Sequence, residues 1–305
     1  MLQPLNENMR KIYSVCAKIA KSDISVLLVG ETGTGKEYIA RYIHSLSGRA
    51  GKFVALNCSA LQDTLIESEL FGYKKGSFTG ADKDKIGLIK AADNGTLFLD
   101  EVADMSLSMQ SKLLRVLETG DYYPIGGTDV EKSNFRLISA TNKEIKDLIK
   151  KGHFRLDLYE RISSAVFYIA PLRDRIEEIP YFADYFVKQI SGKDLMISPE
   201  VIERFLCYDW PGNLRELRET IRFAVAMLDE NEIVIQVKHL PAKFNFEYHL
   251  NERQGLRQMV ENFKGIVIRR TYELYGGNYK KVMEKLGISK DTVYRYIRKF
   301  ENRIK

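Results

Sequence analysis

Seven residues, Gly30-Glu31-Thr32-Gly33-Thr34-Gly35-Lys36, have the types and spacing of a phosphate-cradling loop, GxxxxGK. Such a loop grips a triphosphate: its backbone N–H groups converge on one point, the following helix adds its positive dipole end, and Lys36 reaches the β/γ-phosphates. Glu37 stands where Ser or Thr usually offers a hydroxyl to Mg²⁺, so the metal must be held by other groups and water. A second constellation lies downstream, where the apolar run 96–99 ends in Asp100-Glu101. At the end of a strand beside the loop-feeding strand, Asp100 would hold Mg²⁺ through water and Glu101 would activate the attacking water. Asn142 closes another apolar run and is suited to hydrogen-bond the γ-phosphate or the water. Asn57 closes a third and is suited to hold Glu101 until the nucleotide changes. Phosphoryl transfer also needs positive charge against its transition state. Arg155 and Arg161 flank the segment 154–161, although spacing alone favours surface salt bridges for them.

These groups need a scaffold that brings strand ends together. Short apolar runs at 26–29, 53–56, 96–99, 136–140 and 166–169 alternate with helical patterns, which predicts an α/β domain with a parallel sheet covered on both faces. The run 37–44 after the loop has apolar residues at helical spacing. From 171 to about 240 the pattern is helical, with apolar stripes at 179–190 and 201–206; residues 241–252 lack periodicity and read as a linker. The last 50 or so residues are helical again.

The chain has 305 residues, enough for two or three domains. No apolar run approaches the ~20 residues that span a bilayer, and no charged start followed by an apolar stretch marks a signal peptide. Cys16, Cys58 and Cys207 form neither a metal-ligand spacing nor a disulfide framework, which fits a reducing cytoplasm. The four histidines show no ligand spacing either. The net charge of +6 is unevenly placed: residues 251–305 hold 14 Lys+Arg against 6 Asp+Glu, while the rest of the chain is slightly acidic. A basic excess confined to one end points to an acidic partner such as DNA.

Residues 1–240 closely resemble the central AAA+ domain of the bacterial enhancer-binding proteins, the activators of sigma-54 RNA polymerase. The resemblance rests on 30–37, Ser68-Glu69-Leu70-Phe71-Gly72, Gly76-Ser77-Phe78-Thr79-Gly80-Ala81, 95–101, 113–117, 154–161 and Trp210-Pro211-Gly212-Asn213-Leu214-Arg215-Glu216-Leu217, in family order. The hexapeptide at Gly76 is far more specific than the phosphate loop, and the family typically carries Glu after the loop lysine, as Glu37 does here. The resemblance implies that Asp100 and Glu101 form the second ATPase motif, with Asn57 as the switch partner of Glu101 and Asn142 at the first sensor. Arg155 and Arg161 match arginines offered in trans to a neighbouring subunit's nucleotide, with Arg161 the favoured finger. Arg215 matches the second sensor, on a helical lid. Residues 76–81 would touch the sigma factor; Ser77 stands where the family usually has Ala.

Residues 253–305 resemble the Fis-type helix-turn-helix that ends many of these activators. Gly276-Gly277-Asn278 precedes a helix at 279–286, Gly287-Ile288-Ser289 makes the turn with Ser289 as N-cap, and 290–300 follows as a recognition-type helix with Val293 and Ile297 inward. Lys290, Thr292 and Arg295 fall where base edges are read, and Arg298 and Lys299 where phosphates are met. Val282-Met283 replaces the family's small-residue pair. The stripe Leu256, Met259, Val260, Phe263, Val267 suits either a dimer contact or an internal core.

The expected organisation is an AAA+ α/β subdomain (1–170), a helical lid (171–240), a linker (241–252) and an all-α helix-turn-helix (253–305). The expected function is ATP- and Mg²⁺-dependent activation of sigma-54 polymerase from upstream DNA, by a hexameric ring with a DNA-binding dimer and no membrane association. Three alternatives stay open: a regulator of this architecture that acts on ordinary polymerase without remodelling, a different AAA+ remodeller, and a DNA-binding module with a dead nucleotide site, against which intact Lys36, Asp100 and Glu101 speak. No room precedes Leu27 for a sensory domain, so control is expected from a separate partner or a segment outside this sequence.

Overall fold

The computed structural model describes residues 6–60, 62–244 and, towards the end of the chain, 261, 264–265, 267–268, 271–272, 275 and 277–301, the last three without their side chains. The chain divides into two compact units, residues 11–170 and residues 1–10 with 171–305.

Among the described residues the first unit is built on a five-stranded parallel sheet in the spatial order Phe53–Asn57, Thr96–Asp100, Arg136–Thr141, Val26–Val29, Ala165–Tyr168. The two strands Thr96–Asp100 and Arg136–Thr141 are buried almost throughout, which is why apolar residues dominate their interiors at Leu97-Phe98-Leu99 and Leu137-Ile138. The two edge strands are half-exposed, and Tyr168 is 60% exposed at the end of one of them. That last strand starts one residue earlier than its apolar run suggests, because Ala165 N–H already bonds Ser25 C=O. The register levels the strand ends: Val29 pairs with Thr141 and Asn57 with Asp100. The loop after each strand therefore emerges at one edge of the sheet, the position at which open parallel sheets bind ligands.

The helix Glu7–Ile19 ends against a buried arginine. Arg136, 1% exposed, donates from Nε to Ile24 C=O (3.2 Å), from Nη2 to Ile19 C=O (3.1 Å) and from Nη1 to Ala20 C=O. One guanidinium thus satisfies carbonyls that a helix end leaves open, with a cation at the negative end of the dipole.

In the second unit, Ile179–Ser191, Pro199–Cys207 and Asn213–Ala226 enclose an apolar core around Trp210, which is fully buried and donates from Nε1 to Phe205 C=O at 2.7 Å. Leu240 and Phe244 belong to this core, so residues 241–244 are not linker; the remainder of the expected linker, 245–252, lies outside the described residues. Tyr279–Leu286 and Lys290–Glu301 pack around a small core of their own, Ile268, Val282, Val293, Tyr296 and Ile297.

Arg136→Met is expected to lower the stability of the first unit by about 2–4 kcal/mol, since it strips charge-assisted bonds from buried carbonyls. Denaturant unfolding measures this; a change under ~0.5 kcal/mol would show that the carbonyls find water instead.

Candidate functional site

The helix Lys36–Leu46 starts at Gly35, whose φ of 100° lies in the left-handed region that glycine enters without strain, and no side chain caps it. The first N–H groups of any helix lack intrahelical partners, which makes such an end suited to an anion. Gly30 and Gly33 complete the turn, Thr34 Oγ1 donates to Glu31 C=O at 2.8 Å, and Lys36 Nζ donates to Gly30 C=O (2.8 Å) and Glu31 C=O (3.2 Å).

At the same sheet edge stands Glu101, 8% exposed, with its Oε1 3.7 Å from Lys36 Nζ and its Oε2 accepting from Asn142 N–H at 2.9 Å. Its φ of 52° places a non-glycine residue in a costly region, a strain of about 1–3 kcal/mol that neighbours must over-determine. Asn142 Nδ2 donates to Thr32 Oγ1 at 3.2 Å, so the end of the strand Arg136–Thr141 touches the phosphate loop directly. Asp100 Oδ1 accepts from Glu101 N–H at 3.1 Å. Buried Cys58 records the local field: burial first, then Asp100, Asp104 and Glu101, push its thiol up to about 12. That field suits a dication. Among the described residues no group of three or more His, Cys, Asp or Glu forms a metal cage. Mg²⁺ takes one or two carboxylates and completes its shell with water and phosphate oxygens, and Asp100 is the carboxylate here that would serve it.

Two expected residues sit differently. Asn57 Oδ1 accepts from the N–H and the hydroxyl of Ser59, at 2.9 and 2.8 Å, so its side chain closes its own turn, and the grip on Glu101 comes from the Asn142 backbone instead. The Glu37 carboxylate is paired with Arg41 one turn along at 2.6 Å, half exposed, rather than with the loop. Arg155 is locked to Asp157 by two bonds (3.0 and 2.6 Å); this pairing raises the arginine's pKa and lowers that of the carboxyl. Arg161 is exposed and donates to Leu117 C=O at 2.7 Å. It lines a cavity of about 690 Å³ with Asp23, Ser25, Asn94 and Asn134, residues that precede strands of the sheet. Arg161 therefore stands at the end of the sheet opposite to the phosphate loop. In the second unit, Arg215 is exposed near the start of Asn213–Ala226 and has no side-chain partner among the described residues.

Residues 76–81 rise from the antiparallel pair Gly72–Tyr73 and Lys85–Ile86. Gly76 N–H bonds Ala81 C=O and Ala81 N–H bonds Phe78 C=O, closing a tight loop that also contains Thr79 and Gly80. Phe78 is 46% exposed and leans edge-on against Tyr73, 4.9 Å between centroids. A second hairpin, paired through Asp121–Tyr122 and Glu131–Lys132, is stitched to the loop's base: Lys74 N–H bonds Ile125 C=O and Ile125 N–H bonds Gly72 C=O. Ser77 packs over Gly126, where a Cβ would come within 2.5 Å of the serine Cβ. The Ser77 hydroxyl is buried there without a partner among the described residues.

The model of the Sigma-54 interaction domain matches residues 3–168, and that of the AAA+ ATPase lid domain matches residues 173–255. The chain belongs to the sigma-54 interaction domain family. It is 39% identical over 311 residues to the putative uric acid sigma-54-dependent transcriptional regulator UacR of Escherichia coli K12, covering 96% of this chain and 52% of that protein. It is 42% identical over 233 residues to the DNA-binding transcriptional regulator NtrC of Rhizobium meliloti, covering 75% of this chain and 48% of that one. The chain thus spans about half the length of these curated relatives. A crystal structure of NtrX from Brucella abortus in complex with ADP superposes with a TM-score of 0.74 at 29% identity, over 99% of this chain and 70% of that one; a complex of NtrX with ATP matches equally.

In this AAA+ chain the C-terminal pair of helices departs in detail from the sequence reading. Ser289 Oγ accepts from Thr292 N–H at 3.3 Å, as an N-cap should, but its hydroxyl also engages Thr292 Oγ1 at 2.9 Å. The Arg295 guanidinium lies 5.1 Å from the Tyr296 ring. Lys290 and Arg298 are exposed, and the Lys299 side chain lies outside the described ones. Val282 is fully buried with Met283 packed beside it, so the bulkier pair fills the core. Leu256, Met259, Val260 and Phe263 fall outside the described residues. No sequence signal marks Gly126, because its meaning depends on Ser77, remote in the chain.

Ser77→Ala is expected to raise the stability of the first unit by about 1 kcal/mol, by removing a buried hydroxyl that makes no bond. Gly126→Ala should lower it, by clash and by strain at φ 72°. Parallel denaturant curves decide both signs.

Proposed function

We propose that this chain hydrolyses ATP with Mg²⁺ and uses the cycle to remodel sigma-54 RNA polymerase through residues 76–81, from a site on upstream DNA held by residues 253–305. The observation that carries the reading is the split of the chemistry between the two ends of one sheet. Lys36, Asp100, Glu101 and Asn142 gather at one end, and Arg161 stands at the other. Strands of four to six residues separate these ends by about 13–20 Å. Arg161 therefore serves another copy of the chain, and a closed ring, a hexamer by family resemblance, is the arrangement in which every copy both gives and receives an arginine. Arg161, tied by one bond to a carbonyl, is freer for this than Arg155, which Asp157 holds.

Bound ATP with Mg²⁺ supplies the transferable phosphoryl group. The residues do the rest. The loop N–H groups and Lys36 bind the phosphates, Asp100 holds the metal, Glu101 orients the attacking water and takes its proton, and Arg161 of a neighbouring copy neutralises charge in the transition state. Lys36 and Asn142 N–H now hold Glu101; the phosphates compete for Lys36, so occupancy and Glu101 position are linked. Asn142, bonded to Thr32, reports the same change to the strand Arg136–Thr141. Asn57 has only its Nδ2 to donate to Glu101, since its Oδ1 accepts from Ser59. Arg215 is the lid's second sensor by family resemblance. Phe78, half-exposed between two glycines, is the apolar tip offered to sigma-54. The names of relatives such as UacR and NtrC, sigma-54-dependent and DNA-binding regulators, support this assignment, and the basic C-terminal segment supports the DNA contact. A chain working on DNA and polymerase works in the cytoplasm.

Glu101→Gln is expected to reduce turnover about 10²–10⁴-fold while ATP still binds. Arg161→Ala alone should also lose turnover, and mixing it with Glu101→Gln should restore part of it, since the mixture contains interfaces with one intact loop and one intact arginine. Mixtures no more active than the average of their parts would remove the shared site. Phe78→Ala should leave ATP turnover within about 2-fold and abolish open-complex formation with sigma-54 polymerase; activation that survives it would favour action without remodelling.

A further inference from the structure

The helix Lys290–Glu301 exposes Lys290, Tyr294 and Arg298, which share a face at four-residue spacing. Two are cations, as suits a surface meeting a polyanion, and the segment 251–305 carries 14 Lys+Arg against 6 Asp+Glu. Charge does not explain the third. Tyr294 is 46% exposed in a helix that buries Val293, Tyr296 and Ile297 on its inner side. Its ring is nevertheless held. It stacks on Tyr279 of the preceding helix, with centroids 4.4 Å apart and planes 12° from parallel, and the Lys290 ammonium lies 5.6 Å from its centroid. Its hydroxyl has no partner among the described residues. Beside it the Thr292 hydroxyl bonds Ser289 Oγ, and the Arg295 guanidinium lies 5.1 Å from the Tyr296 ring.

We infer that Tyr294 reads a base edge in the major groove of double-stranded DNA, through a hydroxyl that its stacked ring holds out between Lys290 and Arg298. This rests on the DNA-binding reading of the C-terminal segment. The groove admits one helix, and the N-terminal half of such a helix faces the bases. Arg298 on the same face is suited to the phosphates. A phenol hydroxyl both donates and accepts, which matches base edges better than it matches a phosphate already met by arginine. A braced ring with two side-chain torsions loses little entropy on binding.

Tyr294→Phe keeps the ring and its stack, so the fold is preserved. Duplexes selected from a random pool by the full chain, and a scrambled duplex of equal length, are titrated with both proteins over a range of salt. The expected result is a loss of roughly 3–10-fold on the selected duplex, the worth of one hydrogen bond. The scrambled duplex and the salt slope should be unchanged, and preference should relax at one or two adjacent positions when the variant repeats the selection. An equal loss on both duplexes would make Tyr294 a phosphate contact and overturn the inference, as would no loss on either. A wild-type chain that selects no duplex overturns the DNA-binding reading itself, an outcome distinct from the other two.

Discussion

A carboxylate cannot leave water unpaired without a penalty of several kcal/mol, and Glu101 is almost wholly buried. The first unit is arranged around meeting that requirement. Lys36 supplies the charge and Asn142 N–H supplies the hydrogen bond; Lys36 opens the helix after the strand Val26–Val29, and Asn142 directly follows Arg136–Thr141. The pairing is possible only because Val26–Val29 lies between Arg136–Thr141 and Ala165–Tyr168, while Thr96–Asp100 lies on the far side of Arg136–Thr141 in level register. A slip of one residue in either ladder would shift one strand end against the other by about 3.3 Å, enough to part these groups. The chemistry and the sheet order are one constraint.

The same constraint makes the site responsive. A lysine that satisfies a buried carboxylate, and that a phosphate also claims, gives the carboxylate two different environments. A ligand shifts a conformation only through such differential contact. The strand Arg136–Thr141 is well placed to carry the difference onward, because Asn142 at its end touches both Glu101 and Thr32 while Arg136 at its start fastens the helix Glu7–Ile19. The loop 76–81 is set on a base that shares backbone bonds with a second hairpin, and its Ser77 occupies the space that Gly126 leaves. An unpartnered hydroxyl at that contact makes the docked position of the loop less favourable than an alanine would.

Much of this was legible in the sequence, because the signals are local. A GxxxxGK loop between an apolar strand and a helix, a strand ending in Asp100-Glu101, and a capped pair of C-terminal helices each follow from the order of a few residues. What failed was reading side-chain partners from position alone. Asn57 ends its strand where expected, yet the bonds its side chain makes are at Oδ1, to Ser59 two residues on. Local hydrogen bonds of this kind compete with distant ones on nearly equal terms, and spacing does not reveal the winner.

By itself the sequence determined the elements, their order and the residues fit for phosphate, metal and water, since these depend on side-chain type and on periods of two and 3.6. Only the tertiary structure decided which end of the sheet each group occupies. It set Arg161 at the end opposite to the loop, Gly126 beneath Ser77 and Tyr294 upright against Tyr279. Those relations join residues far apart in the chain, and they arise from strand order and packing, which no local pattern encodes.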